Sequence, residues 1–156
     1  MVPDQNYIEQ LIVEYGDMVY RLAISRVKNK EEAEDIFQEV FMKIYEKMPE
    51  FVNKENEKYW IIRVTINLSK NVLTTAWRRK VIALENDIIF NEQEVSDVFF
   101  EVLRLPLKYR TIIQLFYYEN LTIDEISEIM NINSNTVKTR LRRAREKLKI
   151  RLEGDF

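Results

Sequence analysis

From Ala33 to Met48 the apolar residues Ala33, Ile36, Phe37, Val40, Phe41, Ile44, Tyr45 and Met48 recur at i, i+3, i+4 and i+7. That is the spacing of one face of an α-helix. The pattern constrains the fold because little in the chain interrupts it: 156 residues hold only two Gly and three Pro. A stripe of Ile8, Leu11, Ile12, Tyr15, Met18, Val19 and Leu22 predicts a helix over 4–28. Asp4 suits its N-cap, and Gly16 weakens its middle by about 1 kcal/mol against Ala. Asn29 followed by Glu32 resembles a capping box for the second helix, which Pro49 ends. Residues 50–57 are polar and loop-like, and a third helix is expected from Lys58 to Arg79. The predicted fold class is all-α.

The missing residue types exclude chemistry. With no Cys and no His, there is no disulfide framework, zinc finger, or Ser-His-Asp or Cys-His unit. Neither GxGxxG nor GxxxxGK[ST] occurs, so no phosphate-cradling loop is expected. Asp35 and Glu39 are spaced i, i+4 to share a divalent ion, but no further carboxylate convenes with them predictably. The expectation is therefore no catalytic residue, no metal, no cofactor and no small-molecule substrate. No apolar run approaches the ~20 residues of a membrane span. The absence of Cys fits a reducing compartment, and a cytoplasmic location is expected.

The net charge of -2 conceals strong segregation. The second helix turns Asp35, Gln38, Glu39, Met42 and Glu46 away from its apolar stripe. Between Glu57 and Glu85 lie six bases and no acid. There Arg63, Asn67, Lys70, Asn71, Thr74 and Arg78 form a polar stripe, with Arg79 beside it and Tyr59, Trp60 and Trp77 interleaved. Aromatics among positive charges are what an unstacked base needs. Trp60, at a helix start beside a polar loop, is expected to be exposed; Trp77 fits a core and a surface reading equally. Residues 81–97 reverse the sign, with five acids and no base, and read as an acidic linker.

The last third is helical again. Ser96 caps a short helix ending near Leu105, and Pro106 fits the first position of the next. Thr122 and Glu125 form a T-x-x-E capping box. Asn131-Ile132-Asn133 makes a turn, and Ser134 caps the final helix. Val137, Leu141, Ala144 and Leu148 are that helix's inward stripe, and its other faces carry eight bases against one acid, Glu146. A short capped helix, a tight turn and a basic second helix make a helix-turn-helix, whose second helix fits the major groove.

Three ordered strings carry a resemblance to a known family. The first is Ala33-Glu34-Asp35-Ile36-Phe37-Gln38-Glu39-Val40-Phe41. The second is Trp60-Ile61-Ile62-Arg63 through Asn67. The third runs from Leu105-Pro106-Leu107-Lys108-Tyr109-Arg110 to Thr136-Val137-Lys138-Thr139-Arg140-Leu141-Arg142-Arg143-Ala144-Arg145. Over roughly residues 7–150 the chain resembles an extracytoplasmic-function (ECF, group IV) sigma factor, the minimal form of the bacterial sigma-70 family.

The resemblance implies two small helical domains: sigma-2 over 1–82, a linker over 83–96, and sigma-4 over 97–156. It implies that Asp35, Gln38, Glu39 and Met42 dock on core RNA polymerase. Trp60, Arg63, Asn67, Lys70, Asn71, Arg78 and Arg79 would then meet the single-stranded -10 element, with the loop of 51–57 setting its specificity. Lys138, Thr139, Arg142 and Arg143 would face the bases of the duplex -35 element, Thr136, Arg140 and Arg145 would mainly contact its phosphates, and Ser134 would be a further -35 contact. An anti-sigma factor is a further expected partner. The alternative is a stand-alone helix-turn-helix regulator of duplex DNA. It accounts for 122–151 but leaves the basic-aromatic third helix without a use. Ser127 and Asn131 stand where the family usually has Ala and Gly.

Overall fold

The computed structural model describes residues 5–79 and 96–154, the side chains of 76–79 and 153–154 excepted. The expected cap at Asp4, the linker of 83–96 up to Ser96, and the side chains of Trp77, Arg78 and Arg79 lie outside the described residues. What is described divides into two compact units, one before Asp87 and one after it.

The first unit packs three helices: α1 (Gln5–Val27), α2 (Lys30–Lys47) and α3 (Lys54–Arg79). Their stripes meet in a core of Leu11, Val19, Leu22, Ala23, Ala33, Ile36, Val40, Ile44, Ile61 and Ile62. Gly16 belongs to the packing of α1 on α2. A Cβ there would lie 3.3 Å from Phe37 Cε2, so the bare backbone admits that ring. Asn29 Oδ1 accepts from the Glu32 amide at 2.9 Å and opens α2. Met48 closes it in the left-handed region, φ 46°, its amide bonded to Ile44 O.

Two expectations for this unit need correction. Tyr45 is not part of the inward stripe: it is 49% exposed, beside Met42 at 57%. The third helix starts at Lys54, not Lys58. Asn53 begins it, taking the Asn56 amide on its side chain at 2.8 Å and the Glu57 amide on its carbonyl at 3.1 Å. The polar string of 54–57 reads as a loop by composition, yet it is a well-capped first helical turn.

Polar groups inside this unit are bonded both within a helix and between helices. Thr65 donates to Ile61 O at 2.8 Å and Ser69 to Ile66 O at 2.6 Å. Arg26, 4% exposed, donates from Nε to Ser69 Oγ. Burial lowers the Arg26 guanidinium to about 10, which leaves it charged at neutral pH. Its place in the last turn of α1 sets that charge at the negative end of the helix dipole.

The second unit holds α4 (Asp97–Leu103), α5 (Leu107–Ile113), a π-helical turn (Gln114–Tyr118), α6 (Ile123–Met130) and α7 (Ser134–Gly154). Val102, Leu103, Leu105, Ile112, Leu115, Ile126, Val137, Leu141 and Ala144 form its core. Ser96 Oγ accepts from the Phe99 amide at 3.1 Å, as its capping role requires. Pro106 is the N-cap of α5 rather than its first residue; its carbonyl takes the Arg110 amide at 3.0 Å. The buried Arg110 returns along the chain to donate to Leu105 O at 2.8 Å. The π turn has no counterpart in the sequence reading. Glu119 N bonds to Gln114 O at 3.0 Å, and Gln114 Nε2 donates to Glu119 Oε2 at 2.9 Å, both residues buried.

Candidate nucleic-acid and protein interfaces

Three surfaces follow from which helix faces the two cores consume. On α2 the core takes Ala33, Ile36, Val40, Phe41 and Ile44. That leaves Asp35, Gln38, Glu39 and Met42 exposed along one side, as the spacing predicts. With Tyr45 added, it is an acidic face with an apolar centre, the composition of a protein-binding patch. Among the described residues no group of three or more carboxylates could hold a metal ion.

On α3 the core takes Tyr59, Ile61, Ile62, Thr65, Ile66, Leu68 and Ser69. Asn67, Lys70, Asn71 and Thr74 emerge together on the opposite face, with Arg63 half-buried beside them. Two aromatic expectations change. Tyr59 is core, 5% exposed, with its hydroxyl on Glu55 at 2.6 Å. Trp60 is half-buried rather than exposed. Its ring meets Phe51 edge-on at 5.7 Å, so the loop preceding α3 covers part of it. Val52, one residue on, is 90% exposed.

Beneath that loop lies a cluster absent from the sequence reading. Glu57 is buried, 6% exposed. Tyr15 Oη donates to its Oε1 at 2.8 Å, Lys54 Nζ reaches Oε1 at 3.3 Å, and Tyr7 Oη reaches Oε2 at 3.5 Å. Lys54 also pairs with Glu14 Oε2 at 2.9 Å. Burial, then the hydrogen bond to Glu57 and its charge, hold the Tyr15 phenol far above its ordinary value of 10. No i, i+3 or i+4 pattern joins residues 42 positions apart.

In the second unit α6, the turn and α7 form the helix-turn-helix. Thr122 and Glu125 cap α6 reciprocally: the Glu125 amide donates to Thr122 Oγ1 at 3.1 Å, and the Thr122 amide to Glu125 Oε1 at 3.0 Å. Asn131 takes the left-handed turn at φ 53°, a conformation Asn tolerates. Ser127, where the family usually has Ala, braces the turn. Its Oγ donates to Ile132 O at 2.6 Å, while its carbonyl accepts the Ile132 amide at 3.1 Å. The cap of α7 is Asn133, not Ser134: Asn133 Oδ1 takes the Asn135 amide at 2.7 Å and its carbonyl the Val137 amide at 3.1 Å. Ser134 is instead the first helical residue and half-buried.

Along α7, Val137, Leu141 and Ala144 are fully in the core and Leu148 is half-buried. Lys138, Arg142 and Arg143 are exposed, and Thr136, Thr139 and Arg140 are half-exposed. Lys138 and Arg142 follow one line of the helix at i, i+4; Thr139 and Arg143 follow the next. Arg145 bonds through its Nε to Tyr117 Oη at 2.5 Å. An apolar groove of about 500 Å³ between α4 and the later turns of α7 is lined by Val98, Val102, Leu148 and Leu152, with Tyr117 and Arg145. Such a groove has no sequence signature, because its apolar residues fit a core equally well.

Comparison with known proteins agrees with this division. The model for sigma-70 region 2 matches residues 11–79, and that for sigma-70 region 4 matches 101–148. The RNA polymerase sigma factor SigV of Bacillus subtilis is 32% identical, over 90% of this chain and 88% of its own. The ECF RNA polymerase sigma factor SigW of the same organism is 30% identical, over 96% of this chain and 90% of its own. Among solved structures, the sigma factor RpoE of Bartonella quintana, in complex with the anti-sigma factor NepR, superposes with a TM-score of 0.73 at 22% identity, covering 95% of this chain and 98% of that one. CnrH in complex with the cytosolic domain of CnrY gives 0.71 at 19% identity, covering 98% and 92%. At those identities the two structures bear on the fold alone.

Proposed function

The chain belongs to the extracytoplasmic-function branch of the sigma-70 family, the factors that direct RNA polymerase to specific promoters, and from that premise we propose how its faces divide the work. The exposed side of α2, through Asp35, Gln38, Glu39 and Met42, docks on core polymerase; Tyr45 extends its apolar centre. The exposed side of α3, through Asn67, Lys70 and Asn71 with Arg63 and Trp60, takes the unwound -10 strand, and Arg78 and Arg79 continue the basic run along the same helix. The N-terminal half of α7 enters the major groove at -35. There Lys138, Thr139, Arg142 and Arg143 meet base edges, and Ser134, Thr136, Arg140 and Arg145 meet the backbone.

The mechanism is binding, not bond chemistry. Base contacts from α7 locate the promoter. Amide hydrogen bonding by Asn67 and phosphate pairing by Lys70 favour a strand that is already unpaired, so binding energy shifts the duplex toward the open form. The chain supplies no catalytic group to this scheme; the polymerase carries out synthesis. It acts in the cytoplasm, and no helix among the described residues is long and apolar enough to cross a membrane. A protein antagonist is a further partner, and the apolar groove of the second unit suits a partner's amphipathic helix.

The observation that carries this reading is the exposed row Asn67, Lys70, Asn71 on α3. A regulator of duplex DNA alone has no use for it. The test is run-off transcription with core polymerase on a genomic promoter library. Defined start sites that depend on the chain are expected. An Asn67→Ala, Trp60→Ala holoenzyme should form the closed complex but show weak permanganate reactivity at -10, partly restored on a pre-melted bubble. Duplex binding with no chain-dependent transcript would favour the stand-alone regulator.

A further inference from the structure

Glu57 is the one buried carboxylate among the described residues of the first unit. Burying an ion is costly, and a well-packed apolar residue often serves stability as well or better. What a carboxylate adds is direction, because its two oxygens fix donors at set distances and angles. Here those donors come from two elements. Tyr15 and Tyr7 belong to α1, and Lys54 is the first residue of α3. Lys54 reaches back to Glu14 of α1 as well. The first turn of α3 is therefore held on α1 by polar contacts of defined length. The same turn is the floor of the loop that follows α2: Asn53 caps it, and Phe51 rests edge-on against Trp60.

We propose that Glu57, held by Tyr15, is a positioning residue for recognition of the -10 strand. It sets the rotation and height at which α3 begins. It thereby fixes the loop of 51–53 and the Phe51–Trp60 pair relative to Asn67 and Lys70 further along the same helix. This inference rests on the assignment of the α3 surface to the -10 strand. It adds a residue that touches no nucleic acid yet governs discrimination. An apolar replacement keeps the helix packed but frees its first turn to rock on α1, which blurs the spacing between the loop and Asn67.

The test uses holoenzyme reconstituted with wild type, Glu57→Gln, Glu57→Ala and Tyr15→Phe. The probes are a labelled single-stranded oligonucleotide carrying the -10 element of a promoter the wild-type holoenzyme transcribes, a scrambled strand, and a duplex bearing only the -35 element. Binding is measured at a temperature where circular dichroism shows each variant folded. Glu57→Ala and Tyr15→Phe should lose about tenfold of the matched-over-scrambled preference, the scale of one hydrogen bond to a charged group. Binding to the -35 duplex should be unchanged. Glu57→Gln keeps an acceptor for Tyr15 and should retain most of the preference. Folded variants with the wild-type preference overturn the inference, as does a Gln variant as weak as the Ala variant. If Glu57→Ala does not fold, Tyr15→Phe, which removes one hydroxyl, decides alone. A wild-type holoenzyme without preference for the matched strand would instead defeat the assignment of α3 itself.

Discussion

Tyr117 accepts a hydrogen bond on its hydroxyl from Nε of Arg145, 28 positions along the chain. The guanidinium carbon also lies 5.5 Å from the ring centres of both Phe116 and Tyr117. Helix α7 is thus fastened to the π turn through one of its own cations. One N–H of five is spent on Tyr117, and the terminal nitrogens remain for a phosphate. Arg145→Ala should lower the stability of the second unit by about 1–2 kcal/mol, and Tyr117→Phe, which keeps the ring, by less. Arg145→Ala should also weaken binding to all -35 sequences alike and reduce the salt slope by about one. Thermal melts and salt-dependent gel shifts check both parts. Unchanged melting would mean that the aromatic contacts contribute nothing.

Arg142 and Arg143 are exposed on adjoining lines of the same helix. Their Ala variants should melt like wild type and lose about 1–3 kcal/mol of discrimination at individual -35 base pairs. A panel of single-base -35 variants reads this. A uniform loss across the panel would reassign both side chains to the phosphates.

Asp35 and Gln38 are exposed, so replacing both with Ala should leave stability within about 0.5 kcal/mol. Affinity for core polymerase in a direct binding assay should fall. Wild-type affinity would remove this face from the docking surface.

The Tyr15 phenol gives a pH signature. In the unfolded chain it ionises near its ordinary value of 10; in the fold, burial and Glu57 hold its proton well beyond that. Its contribution to stability is therefore complete below pH 10 and is lost as pH rises above it, by up to about 1.4 kcal/mol per pH unit. Tyr7 and Tyr118 are shifted the same way. Arg26 opposes them: its guanidinium is lowered to about 10, so its contribution rises with pH above that value. Comparing Tyr15→Phe with wild type isolates the one phenol. Urea unfolding at pH 9, 10 and 11 should give a shallower alkaline decline for the variant.

The features legible in the sequence are those decided within one helix turn or one helix face. Thr122 with Glu125, Asn29 with Glu32 and Ser96 with Phe99 are local pairs, and their chemistry is visible from spacing. The exposed rows of α2, α3 and α7 follow from the apolar stripe opposite each. The features that escaped depend on distant partners. Glu57 looks like one more acid in a polar string until Tyr15 is folded onto it. Arg26 looks like a C-terminal cation until Ser69 arrives. Trp60 looks free until Phe51 covers its edge. The cap at Asn133 rather than Ser134 is a choice between adjacent residues of equal aptitude, settled by which carbonyl reaches Val137.

The π turn at Gln114–Tyr118 makes the second unit sensitive to insertion and deletion as well as to substitution. A bond from i to i+5 accommodates one residue more than an α-helical turn would. Removing a single codon between Gln114 and Tyr118 would let α5 run on as regular helix, with every side chain near its preferred geometry. The loss would fall elsewhere: Phe116 and Tyr117 would rotate by roughly a quarter turn away from Arg145. The number of residues across these five positions, together with the rings of Phe116 and Tyr117, keeps α7 fastened to its support.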